Sequence, residues 1–249
     1  MGAPEWLWPV LASPFIGSFL GVLVTRLPHG RPIVIGRSAC DHCGHALGPA
    51  DLVPIASWLA LRGRCRYCDA KITTLLLVIE VGAVLVAVWA ASVSGGLALW
   101  AGCVLGWMLL TLAAIDFRDG ILPDVLTLPL IALGLVATYF FGPGDVLDSA
   151  IGAAAGFAIF ALIRWLYRRL RGREGLGLGD AKLLAASGAW VTWIDLPNVV
   201  LIGAAVGLVL ALIMRLRGQE LTLSQQVPFG PALCLGTWLV WLYGPITGF

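Results

Sequence analysis

The chain has 249 residues, of which 59% are hydrophobic and 12% are charged, with a mean hydropathy of +0.93 and a formal net charge of +2. A soluble domain carries about a quarter charged residues, so this composition excludes a soluble globular enzyme, a disordered chain and a secreted disulfide scaffold. It indicates a polytopic membrane protein, in which each span needs about 20 mostly apolar residues.

Eight apolar runs are predicted to form membrane helices, because lipid forces a backbone to satisfy its own hydrogen bonds. The first run is expected to be a retained helix, since no positive charge precedes Arg26 and a signal peptide needs a basic start. The sixth run is the shortest. In chain order the runs are Trp6–Val24, Ile72–Ala91, Leu97–Ile115, Ile121–Phe141, Ile151–Tyr167, Leu183–Ile194, Val199–Met214 and Pro228–Tyr243.

The positive charges predict the orientation of these helices. With eight spans, all 16 Lys and Arg residues fall on one side of the membrane. The positive-inside rule makes that side cytoplasmic, so that both termini face outward. The connections on the opposite side, which carry no Lys or Arg, are residues 92–96, 142–148 and 195–198.

We therefore predict an all-α polytopic membrane protein with about eight transmembrane helices. Its parts are a first transmembrane helix at 1–25, a cytoplasmic four-cysteine loop at 26–71 and a transmembrane core at 72–249. The lipid bilayer is its predicted surrounding, and we expect no nucleic-acid partner. The sequence assigns no oligomeric state.

Two C-x-x-C pairs within the loop predict a metal site. Cys40 and Cys43 are separated by 21 residues from Cys65 and Cys68, a pattern typical of a closed, structural tetrathiolate Zn²⁺ site. Gly44 and Gly63 suit the tight turns that such pairs need. Free cysteines or a redox dithiol are the alternatives, and a mixed ligand set stays open because three histidines lie in or near the loop. They are His29, His42 and His45.

Three carboxylates are predicted at membrane depth, where an ionisable side chain indicates function. Glu80 lies within the second run, Asp116 ends the third, and Asp180 begins the sixth after glycines 175, 177 and 179. By contrast, Asp119 and Asp124 are expected to be an ordinary turn residue and a helix-start residue. The glycines leave the backbone before Asp180 free to approach another chain closely.

Asp116 and Asp180 are predicted to lie at the same membrane level, where they could act as a catalytic pair. Two carboxyl groups sharing one water can hydrolyse a peptide, because the ionised one takes a proton from the water while the protonated one hydrogen-bonds the scissile carbonyl. The pair would then titrate as a unit. A proton relay in a membrane transporter is the rival interpretation of the same residues.

At these residues the chain resembles the bacterial type IV prepilin peptidases, membrane aspartyl proteases of the GxGD group. Five sequence blocks in order carry the resemblance, which covers nearly the whole chain. They are Gly17–Leu20 with Arg26–Pro28, Ser57–Leu59 with Arg62–Cys68, Ile115–Asp116 with Leu122–Asp124, Glu174–Leu183 with Gly188–Trp190, and Val227–Pro231.

The resemblance implies an endopeptidase of the bacterial inner membrane that cleaves the basic leader of prepilins or pseudopilins at the cytoplasmic face. It assigns catalysis to Asp116 and Asp180, and we expect Gly177 and Gly179 to let the substrate backbone approach. Lys182 either faces this site or anchors the helix at the interface, and we favour the anchor. Many relatives of this kind also methylate the new N-terminal amine with S-adenosylmethionine and carry the cysteine loop.

Within the resemblance, Glu80 is the residue expected to serve methyl transfer. The family pattern is altered at Gly21, at Asp51–Pro54 and at Leu75–Leu77, all in the first two runs and the loop. These changes concern the methyltransferase half rather than the peptidase. The alternatives to the bifunctional enzyme are therefore a peptidase without methyltransferase activity and a small proton-coupled transporter.

Overall fold

A computed structural model of the chain describes residues 4–33, 38–141, 145–172, 176–216 and 229–245. Within these ranges the protein is helical and contains no β-strand beyond two isolated bridges in the cysteine loop. The all-α prediction is therefore confirmed. The predicted positive charges at 37, 173 and 217, residues 174–175 of the glycine block and residues 227–228 of the last block lie outside the described residues.

Eight α-helices and two short 3-10 turns make up the described chain. The 3-10 turns are Leu27–His29 and Pro49–Leu52. The helices are α1 (Leu7–Arg26), α2 (Ala56–Ala60), α3 (Thr74–Val93), α4 (Gly96–Asp119), α5 (Asp124–Phe141), α6 (Val146–Arg171), α7 (Leu178–Leu216) and α8 (Gly230–Tyr243).

Six of the helices in the described ranges, α1 and α3 to α7, are long and apolar enough to cross a membrane. The sixth and seventh predicted runs both lie within α7, which has 39 residues and a non-helical residue, Thr192, with φ 68° and ψ 172°. Residues 195–198, predicted as a turn, are helical. Since α8 has only 14 residues, the count of about eight spans is not confirmed.

The chain forms two compact units, Met1–Thr111 and Leu112–Phe249, and their boundary falls inside α4. The predicted three-part division at residues 25 and 71 stays a prediction. In the first unit, small residues on α1 let α3 approach closely, as is usual where membrane helices pack. A Cβ on Gly17 would lie 2.7 Å from the Cα of Glu80, and one on Gly21 would lie 2.9 Å from a methyl group of Leu76.

In the second unit, α7 is the central helix. It packs on α6 through facing glycines, since a Cβ on Gly152 would lie 2.8 Å from the backbone of Thr192, and a Cβ on Gly188 would overlap the carbonyl group of Gly152. The indole N–H of Trp190 on α7 donates to the carbonyl oxygen of Leu130 on α5 at 2.9 Å. These contacts hold the start of α7 in a buried position.

Replacing Gly188 with Ala is expected to destabilise the protein, because the new methyl group would push α7 away from the α6 backbone. Overpacking of this kind costs about 1–3 kcal/mol. The measurement is the thermal midpoint of the detergent-solubilised protein. Gly95→Ala is the control, because a Cβ at Gly95 meets no atom within 4 Å. Equal midpoints for the two variants would contradict the close α6–α7 crossing.

Candidate active site and metal centre

Asp116 lies in the last turns of α4 and is 7% exposed. Its Oδ2 accepts a hydrogen bond of 3.0 Å from the backbone N–H of Gly230. Gly230 is the first residue of α8, where backbone N–H groups have no partner within the helix and favour an anion. A Cβ on Gly230 would lie 2.5 Å from the same Oδ2, so a side chain there would displace the carboxyl group.

Asp180 is held in a comparable way at the start of α7. Its Oδ2 accepts a hydrogen bond of 3.2 Å from the backbone N–H of Gly177, so the side chain folds back over the beginning of its own helix. Gly179 allows Leu122, which lies just before α5, to approach closely, because a Cβ at position 179 would lie 2.9 Å from the Cβ of Leu122. Of the two predicted positioning glycines, Gly177 therefore binds the Asp180 carboxyl group directly, and Gly179 packs against Leu122.

The structure brings these two carboxyl groups together in the second unit. They are close enough to interact electrostatically, and the buried thiol of Cys234 on α8 lies near both. Among the described residues, neither carboxyl forms an ion pair, and neither Oδ1 accepts a hydrogen bond from a side chain or loop amide. On each carboxyl group, one oxygen is therefore held by a backbone amide, and the other accepts no such bond from a loop amide or side chain in the described ranges.

The neighbouring charges pair with one another rather than with the two aspartates. Lys182 donates to Asp124 at 2.6 Å, and Arg118 donates to Asp119 at 2.9 Å. Lys182 therefore links α7 to the start of α5. Asp124 is the first residue of α5, as predicted, whereas Asp119, predicted as a turn residue, is the last residue of α4.

The four loop cysteines form a single cluster in the first unit. The four Sγ atoms all lie within 4.8 Å of one another, and those of Cys40 and Cys68 are 3.8 Å apart. This is an arrangement that can hold a metal ion. No histidine belongs to the cluster in the part of the chain that the structure describes.

Each cysteine pair is built by the same backbone turn. The Cys40 carbonyl accepts from the N–H of Gly44, and the Cys65 carbonyl accepts from the N–H of Asp69. Gly44 and Asp69 both have left-handed φ values, of 69° and 57°. Asp69, rather than the predicted Gly63, therefore occupies the turn position in the second pair, since a short polar side chain tolerates this conformation.

The thiols of this cluster have unequal acidities. The backbone N–H groups of Cys43 and His42 lower the pKa of the Cys40 thiol to about 6. At Cys68 a backbone N–H from Ala70 lowers the pKa, but burial and the neighbouring thiols outweigh it and raise the pKa to about 12. Four neighbouring thiolates would repel one another, so all four ionise only when a cation balances their charge. A bound metal ion supplies that positive charge.

Glu80, the seventh residue of α3, is buried at 9% exposure in the first unit. Its Oε2 accepts a hydrogen bond of 2.6 Å from the backbone N–H of Ile55, and the Ser18 side chain of α1 lies beside it. Ile55 has a φ of 61°, which a β-branched residue adopts only under strain. Glu80 thus fastens the cysteine loop to two membrane helices.

Asp51 also orders the loop. Partial burial opposes ionisation, but hydrogen bonds from Arg66, Gly48 and Tyr67 hold the pKa of the Asp51 carboxyl below its usual value. The Arg66–Asp51 ion pair measures 2.8 Å, and the Asp51 side chain is 6% exposed. Its charge is therefore already balanced by the loop itself.

Two functional contacts were not predicted from the sequence. In the sequence, Gly230 belongs only to the last block of the resemblance, and no motif points to Ile55. Both act through backbone N–H groups, which any residue carries, so residue type gives no signal of the role. The Phe229–Gly230–Pro231 sequence, with a glycine directly before a helix-starting proline, is the single local hint of a close approach.

Comparison with known protein families gives two adjoining matches. Residues 11–93 match the bacterial peptidase A24 N-terminal domain, and residues 103–212 match the type IV leader peptidase family. The first match contains Glu80 and the four cysteines. The second contains Asp116 and Asp180. No solved structure matches the chain significantly.

Several curated proteins are similar along most of the chain, and each is named prepilin leader peptidase/N-methyltransferase. The relative from Burkholderia pseudomallei strain 1026b is 40% identical over 250 residues, which span 89% of this chain and 80% of that protein. The Aeromonas hydrophila relative is 36% identical over 260 residues, 94% of this chain and 89% of its own length. The Pseudomonas aeruginosa PAO1 relative is 36% identical over 264 residues, with 96% and 90% covered.

Replacing Cys65 with Ser is expected to release bound metal from the purified protein, because three thiolates and a hydroxyl bind a soft ion less tightly than four thiolates. Elemental analysis by inductively coupled plasma mass spectrometry should find about one metal ion per wild-type chain and a much smaller amount in the variant. Cys103→Ser, which removes a buried thiol of α4 outside the cluster, is the control. Metal retained in C65S would contradict the site.

Proposed function

Because the chain belongs to the type IV leader peptidase family, we propose that it cleaves the leader from type IV prepilins or pseudopilins with Asp116 and Asp180 and then methylates the new N-terminus. The observation that carries the peptidase half is the neighbouring pair of Asp116 and Asp180 carboxyl groups, neither of which forms an ion pair with a residue that the structure describes. The family names of the relatives favour the bifunctional enzyme over a transporter, which would not account for the cysteine cluster.

The two carboxyl groups divide the work of peptide hydrolysis. Like charges in close contact do not both ionise, so one aspartate carries a proton while the other is a carboxylate. The carboxylate takes a proton from a water molecule as that water attacks the scissile carbonyl carbon. The protonated aspartate donates a hydrogen bond to the carbonyl oxygen, and the leaving amine then gains a proton from the pair.

Backbone amides keep the pair ready for this chemistry. The Gly230 and Gly177 N–H groups each hold one oxygen of a carboxyl group and leave the other oxygen for water or substrate. A backbone donor carries no net charge, so it orients a carboxyl group without locking it as a carboxylate in a salt bridge. Both aspartates can therefore exchange protons.

The protein is a multi-pass inner-membrane protein, and we infer that Asp116 and Asp180 lie near its cytoplasmic face. The supporting observation is that the positive charges beside this pair, Arg118 and Lys182, sit at the same helix ends as the aspartates. A prepilin keeps an apolar helix in the membrane and its basic leader in the cytoplasm. The scissile bond then lies at the depth of the pair, and the N-terminus of the enzyme faces outward.

We assign Zn²⁺ to the four-cysteine cluster. Four thiolates bound at about 2.3 Å in a tetrahedron lie about 3.8 Å apart, and the Cys40 and Cys68 sulfurs have this separation. A closed set of four sulfurs leaves no position for water or substrate, so the ion's role is to hold Cys40, Cys43, Cys65 and Cys68 in one fold. It takes no part in hydrolysis.

Methyl transfer uses S-adenosylmethionine as co-substrate, as the names of the relatives imply. When bound, it supplies a methyl group to the amine: the N–C bond forms, the C–S bond breaks with its electron pair left on sulfur, and the added amine proton passes to solvent. We assign Glu80 to this half of the enzyme, because it is a buried carboxylate that the peptidase chemistry does not need.

Replacing Asp116 or Asp180 with Asn is expected to lower the rate of leader cleavage by about 10²- to 10⁴-fold or more, because the pair then lacks its base or its acid. The readout is the intact mass of a prepilin incubated with the detergent-purified enzyme. Asp195→Asn, which removes another carboxylate of α7, should cleave like the wild type. Cleavage at the wild-type rate by either active-site variant would overturn the assignment.

Replacing Gly230 with Ala is expected to slow cleavage about a hundredfold, since the added Cβ would shift the Asp116 carboxyl group. Gly207→Ala is the matched control, because a Cβ there would meet its nearest atoms at 3.6 Å, an ordinary contact. Single-turnover cleavage of a prepilin measures both. A normal rate in G230A, with the protein folded, would show that the Gly230 amide does not position Asp116.

A further inference from the structure

Two buried hydroxyl groups meet in the second unit, where α7 packs on α8. The Oγ of Ser187 on α7 and the Oγ1 of Thr237 on α8 are 2.6 Å apart, and each residue is 1% exposed. Neither hydroxyl takes part in the peptidase chemistry. In lipid no hydrophobic force drives helices together, so a polar contact of this kind contributes to holding two membrane helices in one arrangement.

The spacing along the chain ties this hydroxyl pair to the catalytic carboxyl groups. Ser187 follows Asp180 by seven residues on α7, and Thr237 follows Gly230 by seven residues on α8. Seven residues make two helical turns, so each hydroxyl lies on the same helix face as the functional residue before it, about 10 Å further along the axis. From the catalytic level to the hydroxyl level, the two helices therefore run in the same direction.

The short helix α8 also packs on the part of α7 that follows Thr192. A Cβ on Gly236 would lie 2.6 Å from the carbonyl oxygen of Val199, and a Cβ on Gly207 would lie 3.6 Å from the ring of Phe229. Later residues of α8 thus contact earlier residues of this part of α7, so here the two run in opposite directions and α7 reverses near Thr192. Both parts of α7 therefore hold α8, and the hydroxyl pair sets its register on the first part.

The two hydroxyl groups have two protons for three hydrogen bonds. Ser187 can donate to the carbonyl oxygen of Leu183 at 3.0 Å, and Thr237 can donate to that of Leu233 at 2.8 Å. Because a hydroxyl carries one proton, one of the two donates across to the other, which donates back to its own helix. If either hydroxyl is removed, the remaining one keeps an acceptor in its own helix. The contact can therefore be lost without leaving a buried donor unpaired.

We propose that Ser187 and Thr237 are positioning residues of the peptidase. Their contact fixes the register of α8 on α7, which sets the separation of the two catalytic carboxyl groups. Asp180 is carried by α7, whereas Asp116 is held by the Gly230 amide of α8. A shift of α8 along α7 would move that amide, together with the carboxyl group that it holds, relative to Asp180. The inference rests on the proposed function of the two aspartates and adds what fixes their distance.

The test measures steady-state cleavage of a prepilin by the detergent-purified full chain carrying Thr237→Val. Valine keeps the shape of threonine and removes the hydroxyl, so kcat should fall about tenfold or more while KM changes little, because a small displacement of a catalytic group is costly. Thr111→Val is the matched control, since Thr111 is also 1% exposed and its hydroxyl donates within its own helix to the Trp107 carbonyl at 2.8 Å. Equal kcat values in T237V and T111V would overturn the proposal.

The pH dependence of kcat separates positioning from a loss of folded enzyme, which lowers kcat by the same factor at every pH. The active pair is singly protonated, and the pH range of that state widens with the interaction between the two carboxyl groups. Like charges move apart when their register is no longer held, so T237V should show a narrower profile. A profile of wild-type width at reduced kcat would overturn the positioning role. Titratable groups beside the pair, which none of these variants alters, are the Cys234 thiol and the Lys182–Asp124 and Arg118–Asp119 ion pairs.

Further variants test the two hydroxyls as one unit. Thr237→Ser keeps a hydroxyl and should restore most of the rate. Ser187→Ala should slow cleavage as T237V does, and the double variant should be no slower than either single variant, because each removes the same contact. A double variant slowed by the product of the two single effects would show that the hydroxyls act separately and would overturn the proposal.

The same measurements distinguish this inference from the function on which it rests. A wild-type enzyme that cleaves no prepilin would refute the proposed peptidase and this inference with it. Normal cleavage by the wild type, with T237V and S187A equally fast, would refute the positioning role alone.

Discussion

Carboxylates on membrane helices need partners, and among the residues that the structure describes, the partners of Asp116, Asp180 and Glu80 are backbone amides rather than cations. Asp116 is held by the Gly230 N–H, Asp180 by the Gly177 N–H and Glu80 by the Ile55 N–H. An unpaired polar group at membrane depth costs several kcal/mol, so these donors are a condition for the fold as well as for chemistry. Since a backbone amide brings no formal charge, each carboxyl group keeps the freedom to bind a proton.

These donors come from places where the regular helical hydrogen bonding is interrupted. Gly230 begins α8, Gly177 precedes α7, and Ile55 precedes α2. The first amides of a helix have no acceptor within it, so they are available to an acidic side chain. Each of these carboxylates therefore depends on the packing of the helices, which places an amide from a helix start next to it.

Small residues make that packing possible in both units. Gly17 and Gly21 let α1 pack closely on α3 beside Glu80. Gly152 and Gly188 let α6 pack closely on α7, the helix that carries Asp180. The hydrophobic effect does not drive helices together in lipid, so close backbone contact is the main source of stability there. In the first unit this contact also positions Glu80, because Gly17 lies against the Glu80 backbone.

Much of this protein is determined by its sequence alone. Hydropathy identifies the apolar helices, the two C-x-x-C pairs identify the metal cluster, and carboxylates at membrane depth single out Asp116, Asp180 and Glu80, because each of these signals is local along the chain. The tertiary structure decides which distant residues meet. The pairing of Asp116 with the Gly230 amide, the support of Glu80 by Ile55, the break at Thr192 and the contact of Ser187 with Thr237 all arise from how helices and loops pack. A backbone amide looks alike at every position, so only three-dimensional packing shows which one serves a carboxylate.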